Sequence, residues 1–171
     1  MKHPIDRILP GVQDFLDEVF LICRMKDLFV LSYELDHLCY RTTSMQQYQK
    51  LRQQLFDIAH LLTESEVNGR PIAVFKLQQA IRFDTRDIYI VELPAPKADS
   101  PYAEGWEHAE FVIDVPLEAF VAAHPFADFD TKGLDKKINA EVRITANGKT
   151  LKFHETSLEE IIQTEQIKAK H

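Results

Sequence analysis

Two Asn-Gly dipeptides set the first limit on how this chain can fold. Asn68-Gly69 and Asn147-Gly148 each lie between strand-like runs. Both residue types tolerate the positive φ that a two-residue hairpin turn demands. Around the first turn the pattern predicts strands over 71–77 and 87–93, the last stopped by Pro94-Ala95-Pro96. A proline cannot donate to a ladder, so that run ends there. Ahead of them stand a short alternating strand over 35–41 and a helix opening at Ser44. Ser44 can accept from the Gln47 amide, and Met45, Tyr48, Leu51, Leu55, Ile58 and Leu62 then share one side of a helix running to about Leu62, with His60 on its outer face.

The order then starts again. A polar stretch over 97–105 links to a strand over 106–113, a short helix over 116–123 with Pro116 in its first turn, and strands over 139–145 and 149–154. The pattern reads βαβββ followed by βα(β)ββ. No third strand is visible in the second half, because residues 124–137 are too polar and irregular to supply one. Pro10-Gly11 opens an N-terminal helix over about 11–30, with Val12, Phe15, Leu16, Val19, Phe20 and Cys23 at helical spacing. Ser157 and Glu160 form a capping box that starts a C-terminal helix over about 157–167, with Leu158, Ile161 and Ile162 inward. Residues 168–171 read as a frayed end. The expected class is α+β, one domain over 1–171 with pseudo-repeat halves at about 35–96 and 105–156.

Composition narrows the function. Twenty Lys+Arg against 27 Asp+Glu leave a net charge of −7, which argues against a nucleic-acid binder held by a basic face. Charges interrupt every apolar run, so no membrane span is expected. The first residues lack the apolar centre of a signal peptide. Cys23 and Cys39 form no disulfide framework, and a reduced, cytoplasmic compartment is the default. Neither GxxxxGK nor GxGxxG occurs.

Strand alternation picks out the candidate chemistry. His37, Cys39 and Arg41 lie opposite Leu38 and Tyr40; Glu92 lies opposite Val91 and Leu93; His108 and Glu110 lie opposite Ala109 and Phe111; Lys152 and His154 lie opposite Leu151 and Phe153. His37 and His108 each occupy the first strand of a half, and Glu92 and His154 each end the last. Three imidazoles and one carboxylate that converge would hold a divalent metal of the Zn, Ni, Fe, Mn or Co kind. A histidine in a strand can equally be a hydrogen-bonded structural residue, and both readings stand at this point. Cys39 reads as a small core residue and Trp106 as a packing residue. His3, His60, His124 and His171 are assigned no role. Glu159 and Glu160 suit the first turn of a helix.

Residues 36–41, Asp-His-Leu-Cys-Tyr-Arg, resemble the opening strand of the vicinal-oxygen-chelate, or glyoxalase-like, superfamily, and Trp106–Val112 resembles its repeat. The match is closer to the YecM-like group within it. The segments that carry this are Asn68–Ile72, Phe75–Leu77, Ile90–Pro94, Gly105–His108, and Lys152–His154 with Ser157 and Glu159-Glu160. The resemblance spans about residues 35–165 and implies paired βαβββ modules forming a curved sheet around a metal-capable cleft, flanked by extra N- and C-terminal helices. His37, Glu92 and His108 match the superfamily's ligand positions. His154 stands where many members carry Glu, and on a regular strand it is preferred to Glu155, which faces the other way. The chemistries implied are isomerisation, lyase, dioxygenase and thiol-transfer reactions on a small oxygenated, anionic molecule, with ligand binding without catalysis and a metal-free interaction domain as alternatives. Arg41 would hold the substrate's acidic group, and Glu110 would serve as a catalytic base or as a partner of the ligands. A small-molecule ligand is expected, and neither a nucleic acid nor a membrane.

Overall fold

Asn68 and Gly69 adopt φ of 52° and 75°, and Asn147 and Gly148 adopt 52° and 72°. Both tight turns therefore form, each with two residues in the left-handed region. The computed structural model describes residues 2–99 and 102–170, so His171 lies outside the described residues. The chain divides into two compact units: Met1–Leu16 with His37–Glu107, and Asp17–Asp36 with His108–His171.

In the first unit, β1 (Glu34–Arg41) is followed by α2 (Met45–Leu55; α1 is the N-terminal helix Val12–Met25) and the strands β2 (Ala59–Val67), β3 (Arg70–Phe83) and β4 (Arg86–Pro94). Their order is β2-β3-β4-β1. β1 runs parallel to β4, with His37 opposite Ile90 and Cys39 opposite Glu92. This is a complete βαβββ module. In the second unit, β5 (Gly105–Val112), α3 (Leu117–Ala123), β6 (Val142–Ala146) and β7 (Lys149–His154) follow the same plan, in the order β5-β7-β6. β5 is parallel to β7, and β6 is antiparallel to it. The fold is thus the expected α+β class built of βαβββ modules, the second lacking one strand. α4 (Leu158–Ala169) begins at the predicted capping box, with Ser157 accepting from Glu160 N and Glu160 bonded back to Ser157 N. Helical structure reaches Ala169, two residues into the stretch expected to fray.

Four boundaries differ from the sequence reading. α1 ends at Met25, not near residue 30, and Asp27 beyond it turns the chain with a φ of 52°. α2 stops at Leu55, not near Leu62. Leu51, Leu55, Ile58 and Leu62 do fit a helical stripe, but Ala59–Val67 pairs antiparallel with β3. Those ladder bonds require extended backbone and override the local period. His60 is accordingly a strand residue opposite Lys76, not the outside of a helix. β3 continues past Leu77 to Phe83, because an irregularity between Lys76 and Ile81 absorbs the polar Gln78-Gln79 and lets pairing with β4 resume at Ile81–Ile88. β6 starts at Val142, not Asn139, since Asn139 has a φ of 54° and breaks the extended run.

In the second unit the core is aromatic. Phe153, Phe111 and Phe120 are essentially fully buried. The Phe111 and Phe153 rings stack at 5.4 Å, Phe120 lies 4.7 Å from Phe153, and Phe20 of α1 meets Phe111 edge-on at 6.1 Å. In the first unit Phe15 stacks on Trp106 at 6.1 Å and Tyr40 meets Trp106 edge-on at 5.2 Å, so Trp106 is the packing residue expected. Cys39 is buried, as a small core residue should be.

α2 is held to its module by polar bonds. Glu64 of β2 accepts from the Tyr48 hydroxyl at 2.6 Å and pairs with Arg52. Burial pushes the Glu64 carboxyl up, but the hydrogen bonds from Tyr48 and Arg52 outweigh this and hold it below the ordinary glutamate range. A carboxylate with a lowered native pKa contributes stability that is full above its unfolded value of about 4.3 and is lost as pH falls through the native value. Glu64→Gln is therefore expected to lower the melting temperature at pH 7, and the gap from wild type should close as pH drops below about 4. A gap that stays constant across a pH series of thermal melts would mean that the Glu64 charge does not stabilise the fold.

Candidate metal and ligand site

The first unit brings His37 and Glu92 together. The parallel register of β1 and β4 places the two on one face, and His37 Nε2 lies 3.9 Å from Glu92 Oε2. His37 is buried and Glu92 partly so. Arg41, two residues on, ion-pairs with Glu107 at 3.2 Å, and its guanidinium sits 4.5 Å from the centre of the Tyr102 ring. Arg70 reaches the same ring from its edge, donating to the Tyr102 hydroxyl at 2.7 Å and to Ala95 O at 2.9 Å. Two guanidiniums thus converge on Tyr102, one over its face and one at its hydroxyl.

The second unit gathers the other candidates more tightly. In the β5–β7 register Glu110 stands opposite Lys152 and Val112 opposite His154, so His108, Glu110, Lys152 and His154 share one face. All but Lys152 are buried. Glu110 is the hub. Its Oε1 lies 3.2 Å from His108 Nε2 and accepts from Lys152 Nζ at 3.0 Å, while its Oε2 is in close contact with His154 Nε2. Glu155 is exposed, so the residue that faces this cluster is His154.

A residue that sequence reasoning missed completes the cluster. Glu141 is 4% exposed, and its Oε2 lies 3.7 Å from His154 Nε2. Its Oε1 accepts from Lys136 at 2.8 Å and Arg143 at 2.6 Å. Burial pushes this carboxyl up, but Lys136, Lys152 and Arg143 together hold it below the ordinary range. Glu141 belongs to the segment between α3 and β6 that has no regular pattern. The one sequence signal available was an acidic residue just ahead of an alternating run.

The second ring nitrogen of His154 decides what this cluster can accept. His154 Nδ1 lies 3.2 Å from the Ala140 carbonyl oxygen. A carbonyl only accepts, so Nδ1 donates to it, and Nε2 is left to meet the Glu110 carboxylate in hydrogen-bond contact. His154 Nε2 therefore lies between Glu110 Oε2, in close contact, and Glu141 Oε2 at 3.7 Å. A proton between Nε2 and the Glu110 carboxylate satisfies that contact. Imidazole with carboxylate is a donor set that suits Zn, Ni, Fe, Mn and Co, so the residues fit a metal of that class.

Two histidines assigned no role prove structural. His124 is buried, accepts from Phe29 N at 3.1 Å through Nε2 and donates to Phe120 O at 2.8 Å through Nδ1. His3 accepts from Ile5 N at 3.1 Å and donates to Gln79 O at 3.0 Å, tying the N-terminal turn to β3. Asp36 likewise accepts from Leu158 N at 3.0 Å, an acidic partner at the N-terminus of α4.

Among known proteins, the family model described as YecM protein matches residues 5–129. Protein YecM of Escherichia coli (strain K12) is 30% identical over 174 residues, covering 92% of this chain and 90% of that one. An uncharacterised protein of Haemophilus influenzae is 37% identical over 81 residues, covering 47% and 42% of the two chains. The solved structural-genomics protein EC4020 superposes with a TM-score of 0.77 at 30% identity, over 90% of this chain and 88% of that one. No helix among the described residues is long and apolar enough to cross a membrane.

Proposed function

The chain belongs to the YecM family, and from that premise we propose that it binds a divalent transition metal through imidazole and carboxylate donors and uses it on a small oxygenated, anionic molecule. The proposed ligands are His37, Glu92, His108 and His154. The observation that carries the reading is the buried cluster of His108, Glu110 and His154 on one strand face. The pairing of His37 with Glu92 in the other module supports it with a second imidazole–carboxylate pair. When bound, such a metal supplies Lewis-acid polarisation of substrate oxygens.

The chain's own residues have distinct parts. Glu110 orients the two imidazoles of its unit through its two oxygens. Lys152 pairs with that carboxylate at 3.0 Å, placing a positive charge beside it in a buried position. Arg41 is the anion-binding group, offering a planar fork of donors whose stacking on Tyr102 fixes its plane. The reaction class belongs with isomerases, lyases or dioxygenases. A cytoplasmic location is part of the same reading. A second reading, metal binding without turnover, is favoured by Glu110, whose oxygens are engaged by His108, His154 and Lys152 and so have little capacity left for a substrate proton.

Elemental analysis of protein purified without added metal is expected to find a stoichiometric transition ion. Its absence, with no binding of Zn, Mn, Fe, Co or Ni on titration, would overturn both readings. Arg41→Lys in the metal-loaded protein is expected to weaken binding of oxalate, pyruvate or 2-oxoglutarate by about tenfold or more, because the bidentate geometry is lost while the charge is kept. Metal affinity should not change. Equal affinity for the acids, or equal binding of their uncharged analogues, would assign Arg41 to its Glu107 pair alone.

A further inference from the structure

We propose that a second cleft in the first unit, between the N-terminal turn and the irregular part of β3, binds a small molecule of the nucleoside-phosphate class, in which a multiply charged anionic group is joined to a flat ring. The inference is independent of the metal reading. Tyr89, which lines this cleft, alternates with Ile90 along β4 and so faces away from the side that carries Glu92.

The cleft is built rather than incidental. Its volume is about 880 Å³, inside the roughly 300–1,000 Å³ of small-molecule sites. One wall is the short 3-10 turn Pro4–Arg7, anchored from beneath by Ile5 and Leu9, both fully buried. The other is the stretch of β3 between Lys76 and Ile81, where regular pairing with β4 lapses and Tyr89 is the one β4 residue left opposite. Side chains of the N-terminal segment pin the walls together. His3 donates to Gln79 O at 3.0 Å and accepts from Ile5 N at 3.1 Å, and Gln13 donates to Arg82 O at 3.3 Å. Asp6 closes the turn by accepting from Gly11 N at 3.2 Å. The shape is therefore set before a ligand arrives, which lowers the cost of binding.

The groups not needed to hold the walls are mostly cationic. Lys2, Arg7 and Arg82 line the cleft against a single acid, Asp6, in a chain whose net charge is −7. Among the described residues Lys2 and Arg7 have no ion-pair partner. Arg82 meets Asp87 at 3.3 Å, but the two side chains are 84% and 52% exposed, and a pair so open to water is weak enough to yield to a better anion. Cations gathered in a concave wall of an otherwise acidic protein draw anions to that one place. Two guanidiniums and an ammonium suit a group with several charged oxygens. Tyr89 supplies the other half of the recognition. Its ring is 41% exposed on a strand whose neighbours Ile88 and Ile90 are buried, and an exposed aromatic face is a platform on which a flat ring stacks. The exposed amides of Gln78 and Gln79 add donors and acceptors for the polar atoms of such a ring.

The test is calorimetric titration of the metal-free protein with AMP, GMP and CMP, with adenosine and inorganic phosphate as partial probes. At least one of the three nucleotides is expected to bind with one site per chain. Adenosine and phosphate should each bind at least about tenfold more weakly than that nucleotide, since each lacks one half of the contacts. Replacing both cations, Arg7→Gln with Arg82→Gln, should weaken nucleotide binding at least about tenfold, and Tyr89→Ala should weaken it about fivefold or more. Both variants are expected to melt as wild type does, because all three side chains are exposed. His37→Ala should leave nucleotide affinity unchanged, which separates this cleft from the face that carries His37 and Glu92. The proposal is overturned if none of the three nucleotides binds, if the arginine and tyrosine variants keep wild-type affinity, or if His37→Ala abolishes binding. Phosphate binding as tightly as the nucleotides would overturn it too, by leaving Tyr89 and the ring no part in recognition.

Discussion

Phe153→Ala is expected to lower the stability of the protein by about 3–5 kcal/mol, the usual cost of truncating a fully buried phenylalanine. The ring is fully buried and packs against Phe111 at 5.4 Å, Phe120 at 4.7 Å and Phe129 at 6.0 Å. Removing it takes away the transfer free energy of the side chain and leaves a void that three stiff rings cannot close by small adjustments. The effect should extend to the opposite face of β7, because Phe153 lies between Lys152 and His154 and its packing sets where both of them stand. Urea unfolding of the metal-free protein measures the loss directly. A change below about 1 kcal/mol would mean that the cavity collapses and that the aromatic cluster is not the mainstay of the second unit.

His154→Gln is expected to weaken divalent-metal binding by at least about a hundredfold, or about 2.7 kcal/mol at 1.4 kcal/mol per tenfold. Its Nδ1 donates to the Ala140 carbonyl, which fixes the ring so that Nε2 faces Glu110 and Glu141 without reorganisation. Glutamine fills similar space but offers a weak, neutral oxygen. The metal-free variant should remain folded, since Lys152 still pairs with Glu110 and both Lys136 and Arg143 still hold Glu141. Calorimetric titration with Zn(II) and a thermal melt of the metal-free variant separate the two effects. Unchanged affinity would remove His154 from the donor set. An unfolded metal-free variant would make His154 a structural member of a buried charge network.

Much of this molecule was legible in the chain because the deciding interactions are local. The Asn-Gly turns depend on two residues that accept positive φ, and both formed. The Ser157–Glu160 capping box closes within four residues. Alternation along β5 and β7 told which side chains share a face, since a strand has a period of two whatever its neighbours are. That was enough to set His108, Glu110, Lys152 and His154 side by side. The order of elements, repeated once with a strand missing, pointed to paired modules.

Contacts distant in sequence decided the rest. Leu62 fits a helical stripe, and only the pairing of its neighbours Leu61 and Thr63 with β3 makes it a strand residue. His124 looked like a loop residue before a proline, and only the approach of Phe29, 95 positions away, gives its ring a second hydrogen bond. Glu141 carries no periodic signal, because its place comes from a backbone bridge between Asp130 and Arg143 and from a glycine eight positions earlier that lets two segments touch. Local sequence sets which backbone shapes are cheap. Which buried charges end up facing one another is set by desolvation and by packing between distant segments, and no local pattern encodes that.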